Sequence, residues 1–101
     1  MKVYVLIQCD LDCKGNLINE REYGIYGSTD GVYCTLTKGG IYSYTLSIIG
    51  QDDNSKENIE RCMLVPNMVI KRRLPDNRFY PYGNKPKYDA EYFYVKTQEI
   101  E

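Results

Sequence analysis

Apolar and polar positions along this chain form short blocks of strand character divided by polar turns. Residues 2–9 (KVYVLIQC) are β-branched, aromatic and almost continuously apolar, which predicts a central strand buried on both faces. Residues 10–19 (DLDCKGNLIN) are polar, with Gly15-Asn16 as turn signal, and predict a long hairpin loop before a second strand over 21–26 (REYGIY). Gly24 and Gly27 point to a bulge or a close backbone approach there.

Residues 31–37 (GVYCTLT) and 41–49 (IYSYTLSII) flank Lys38-Gly39-Gly40, the sharpest local signal in the chain, and predict a hairpin. In the second run Tyr42, Tyr44, Leu46 and Ile48 share one face, while Ser43, Thr45 and Ser47 share the other. Ser28 would also cap a helix running to Thr37. Gly31, Val32, Thr35 and Thr37 are poor helix formers, so two strands are the expectation.

Residues 55–64 (SKENIERCML) are the one predicted helix, with Asn54 or Ser55 as cap and Pro66 as stop. Ile59, Cys62 and Met63 make its apolar stripe, and Glu57, Glu60 and Arg61 its solvated side. A short strand over 67–74 and a final strand over 90–100 follow, separated by an irregular stretch holding three of the four prolines. The pattern predicts an α+β fold: a mostly antiparallel sheet of about five or six strands with one packed helix, about residues 55–64. No repeat, linker or low-complexity run divides residues 1–101, which read as a single domain.

Composition narrows the function classes. A hydrophobic share of 43% suits a folded chain, and a net charge of −1 gives no field to steer it towards nucleic acid or membrane. Any electrostatic partner must be met by a local patch. Eleven tyrosines with no tryptophan fit strand packing and also suit binding, since the ring brings area with few rotatable bonds. No secretory signal or membrane-length apolar run is read, so the four cysteines are expected as free thiols in the cytoplasm, the host cytoplasm if the chain is viral.

The best candidate for function is the basic aromatic segment 71–88, with six cations, one acid and four aromatic rings. Lys71, Arg72, Arg73, Arg78, Lys85 and Lys87 suit phosphate or carboxylate, and Tyr80, Tyr82 and Tyr88 suit flat ligands. The competing reading is a solvated crossover whose rings cover one end of the core.

Asp10, Asp12, Glu20 and Glu22 form an acidic group near the first turn. Lys14 and Arg21 occupy positions where a calcium loop needs oxygen ligands, so a polar hairpin tip is expected there rather than a metal site. Cys9 and Cys13 lack the partners of a zinc set. The sequence has no histidine, which removes Ser-His and Cys-His pairs, and no glycine-rich phosphate loop. No cofactor is implied.

Val3-Tyr4-Val5-Leu6, followed by Gly24-Ile25-Tyr26-Gly27-Ser28, resembles small bacterial and phage proteins over less than a third of the chain. That likeness assigns no residue and no function. Three readings follow. The first is a small binding or inhibitory protein, encoded by a phage or mobile element, that engages a host protein or sequesters a nucleotide-like anion. The second is a module for RNA or single-stranded nucleic acid, and the third a carboxylate enzyme using a metal at Asp10 and Asp12. A homodimer through the tyrosine-rich strands 41–49 or 90–100 is expected alongside them.

Overall fold

A computed structural model describes residues 1–39, 42–73 and 90–101. The apolar run at the start becomes β1 (Lys2–Leu11), which turns back into β2 (Leu17–Tyr26). The hairpin loop is shorter than its polarity suggested, because Asp12 builds a tight turn. Its carboxylate accepts from the Lys14 and Asn16 amides at 2.9 and 2.8 Å, and Gly15 takes the positive φ of 83° that the turn needs. These bonds hold the Asp12 carboxyl below its usual range, the Asn16 amide first among them.

Pairing between β1 and β2 slips twice, once opposite Tyr23 and once opposite Asn19, whose φ is 54°. The first is the bulge expected beside Gly24; the second, at Asn19 and Glu20, lies outside the stretch the glycines marked. The first turns the Tyr23 ring edge-on to Phe93, with centroids 5.4 Å apart. Gly24 sits beside it because an added Cβ would lie 2.7 Å from the Tyr26 hydroxyl oxygen.

The remaining elements are α1 (Thr29–Thr37), β3 (Lys38–Gly39), β4 (Tyr42–Ser43), β5 (Thr45–Ile48), α2 (Lys56–Cys62), β6 (Ile70–Arg73) and β7 (Ala90–Glu99). Among the described residues five strands form one antiparallel sheet in the order β2-β1-β7-β6-β5, and β3 pairs with β4 in a second, two-stranded sheet. The expected α+β class is what the molecule adopts.

Residues 31–37 are helical, not the strand expected of them. The Ser28 side chain accepts from the Gly31 amide at 3.0 Å, filling the first turn's open donor. Val32 and Leu36, four apart, are both fully buried, and that stripe outweighs the poor propensity of Gly31 and the threonines. Thr37 even returns its hydroxyl to the Tyr33 carbonyl at 2.9 Å. The glycine hairpin survives in miniature as β3 and β4, with residues 40 and 41 outside the described set.

The second helix follows its apolar pattern, although Glu60, expected on the solvated side, is half-buried. Ser55 caps α2 through the Asn58 amide, and Ile59, Cys62 and Met63 are buried. Lys56 ties the helices together, its Nζ 2.7 Å from Asp30 Oδ1 and 5.6 Å from the Tyr33 ring centroid. Both helices lie over one face of the sheet, where Leu6, Phe93, Val95, Ile70, Leu46 and Ile48 meet them in a single core.

Candidate functional site

Strand parity decides which cations of the basic run are available. On β6, Ile70 and Arg72 point to the helices, as do Leu46 on β5 and Phe93 on β7. Lys71 and Arg73 point the other way, in line with Ser47 and Thr45 on β5 and with Tyr92 and Ala90 on β7. The Lys71 Nζ lies 6.0 Å from the Tyr92 ring centroid, and Arg73 is exposed. Tyr94 and Lys96 continue this face along β7, over the β1 side chains Ile7 and Val5. Among the described residues no helix lies on it.

Arg72 belongs to the core side. Its side chain is 8% exposed, and its guanidinium reaches Glu91 Oε1 at 2.7 Å through one terminal nitrogen and 3.2 Å through Nε. Glu91 accepts in turn from the Gln8 amide at 2.8 Å. The rings of Tyr44, Phe93 and Tyr23 surround the cation at 4.8, 5.0 and 6.0 Å. This residue therefore ties β6 to β7 and seats the rings of Tyr23 and Tyr44 rather than facing a ligand. Arg78, Tyr80, Tyr82, Lys85, Lys87 and Tyr88 lie outside the described residues.

A second feature has no counterpart in the sequence reading. The start of β2, the turn after α2 and the outer half of β7 line a groove of about 400 Å³, with Leu17, Glu20, Leu64, Val65, Tyr94 and Lys96 among its walls. Its volume suits a small ligand or a few residues of a peptide. Leu64 and Val65 are about half exposed, at 51% and 46%. Glu20 and Tyr94 meet inside it. Their hydrogen bond pushes the phenol up to about 12, with burial and the Glu20 charge adding to the effect. Only the fold joins these three distant segments, and no local spacing announces them.

The acidic group near the first turn is divided by the fold. Asp12 is engaged in the hairpin tip, Asp10 accepts from the Asn19 amide at 3.1 Å, and Glu20 meets Tyr94. Among the described residues no cluster of three or more acidic, cysteine or histidine side chains is placed to hold a metal. The four cysteines are free thiols. Burial pushes the Cys9 thiol up, and its sulfur lies 3.7 Å from the Tyr92 carbonyl oxygen. No helix among the described residues is long and apolar enough to cross a membrane. Comparison of the chain with protein-family models, curated proteins and solved structures finds no match.

Proposed function

We propose that this chain is a small binding protein without chemistry of its own, which takes a nucleotide-like anion on the sheet face carrying Lys71, Arg73, Tyr92 and Tyr94. The observation that carries this reading is the parity of β6 and β7. Two cations and two tyrosines share the face away from both helices. Cations two residues apart on a strand are separated by about 6.6 Å, so they meet neighbouring phosphates rather than one point charge. The tyrosines offer flat surfaces beside them. Such a protein works as an inhibitor, sequestering its ligand in a reducing compartment where its free thiols persist.

The regular spacing of Tyr92 and Tyr94 favours a second reading, RNA or another single strand, in which two successive bases stack on the two rings. One set of measurements separates the two. Thermal shift and native mass spectrometry against mono- and dinucleotides should show a complex that Lys71→Glu with Arg73→Glu abolishes, with the circular dichroism spectrum unchanged. Binding only to oligonucleotides, with a steep salt dependence, would move the assignment to the second reading. Silence in both assays would end both.

A further inference from the structure

The outer half of β7 differs from the rest of the sheet. Pairing with β6 stops at Phe93, opposite Ile70, whereas pairing with β1 continues to Glu99. From Tyr94 to Glu99 the strand therefore forms a rim of the sheet among the described residues. A rim of this kind presents backbone N–H and C=O groups that seek partners. Here the groove runs beside it, with Leu64 and Val65 half exposed on its far wall.

We propose that this groove docks an extended segment of a partner protein, added to β7 as a further strand. The segment places an acidic side chain opposite Lys96 and apolar side chains against Leu64 and Val65. The backbone rim supplies affinity, and the side chains on either face supply selection.

The charge of the groove fixes the acidic position. Lys96 is exposed and enters no ion pair among the described residues, while Glu20, the groove's carboxylate, is hydrogen-bonded to Tyr94. Glu20 keeps its charge but is directed to the Tyr94 phenol, so at the rim itself the charge of Lys96 is the one left to be met, and the complementary segment carries an acid opposite it.

A second copy of this chain paired through β7 does not supply that acid. Side chains directly opposite on antiparallel strands share a face, and Lys96 lies on the face away from the helices. In any two-fold pairing of β7 with itself that keeps the helix faces together, Lys96 meets an even-numbered residue: Tyr94, Lys96, Gln98 or Ile100. Glu99 is directed to the helix face, out of reach. A lysine on an exposed rim is itself a device against self-pairing. The expected dimer, where it pairs residues 90–100 with themselves in this way, is accordingly disfavoured, and the proposed occupant is a segment of a different protein.

The groove shares Tyr94 with the anion-binding face but not Lys71 or Arg73, and the test keeps the two proposals apart. Two nine-residue peptides of alternating threonine and valine, one with a central glutamate and one with a central lysine, are titrated into the full chain by fluorescence anisotropy. The glutamate peptide should bind at least about tenfold more tightly. Lys96→Glu should reverse that preference, and Leu64→Ser with Val65→Ser, at exposed sites, should weaken both peptides. Lys71→Glu with Arg73→Glu should leave peptide binding unchanged. Amide exchange along Tyr94–Glu99 should slow when the peptide is bound. No binding by either peptide, or a preference that Lys96→Glu does not alter, would overturn the proposal. So would a stable dimer in light scattering that protects the same amides.

Discussion

The two ends of the Arg72–Glu91 pair should respond unequally to mutation. The side chains are 8% and 33% exposed, respectively. Glu91→Ala leaves a largely buried guanidinium among Tyr23, Tyr44 and Phe93 with no anion, and removes the acceptor of the Gln8 amide. Breaking a buried pair from one side costs about 3–5 kcal/mol, and the partial exposure of this site sets the expectation near 3 kcal/mol. Arg72→Met removes the buried charge itself. The glutamate left behind can hydrate, and the thioether packs on the same rings. The loss is then the cation–aromatic contact and the hydrogen bonds, about 1–2 kcal/mol.

Urea unfolding measures both. With a slope of about 1–3 kcal/mol per molar for a small domain, Glu91→Ala should lower the midpoint by about 1–3 M, and Arg72→Met by visibly less. The double variant should be more stable than the sum of the two losses predicts, because no orphaned charge remains. Arg72→Met costing as much as Glu91→Ala, or simple additivity, would refute the account of a buried cation held by its carboxylate.

Other expectations follow from single features. Ser28→Ala should cost about 1 kcal/mol and Leu36→Ala about 2–5 kcal/mol, both with loss of helical circular dichroism; a neutral Ser28→Ala would count against α1. An alkaline absorbance titration should contain a step from Tyr94 near pH 12, and Glu20→Gln should bring that step down. Because the folded pKa is raised, the stabilisation is complete below about pH 10 and fades as pH rises towards 12. A disulfide reagent should consume the exposed Cys13 first and reach the buried Cys9 and Cys62 only on unfolding, so Cys13→Ser should remove the fast phase.

Much of the fold could be read from the chain because local and global preferences agree there. β1, β7 and α2 follow their apolar patterns, and the alternation of Leu46 and Ile48 with Thr45 and Ser47 appears as burial and exposure along β5. Residues 31–37 misled because propensity is a weak prior. A capped first turn and two buried residues four apart override glycine and threonine once a sheet exists to receive them. The site was harder for a geometric reason. A run of lysines and arginines on a strand points alternately to two faces, and only the pairing of β6 shows that Arg72 faces inward while Lys71 and Arg73 face out. The groove could not be foreseen, since Glu20, Val65 and Lys96 are brought together by tertiary structure alone.

The strand at the centre of the sheet is also the last in sequence. β7 lies between β1, the first of the described strands, and β6. Until it is synthesised, β1 with β2 and β5 with β6 have nothing to join them into one sheet, and the core lacks Phe93 and Val95. Folding of this sheet must then await β7 and close the long loop that separates it from β1. That places this protein among slow folders, at about milliseconds to seconds, despite its small size. During synthesis the two unfinished halves would expose strand edges, the stage at which chaperones matter most and at which a mutation in β7 does its greatest harm.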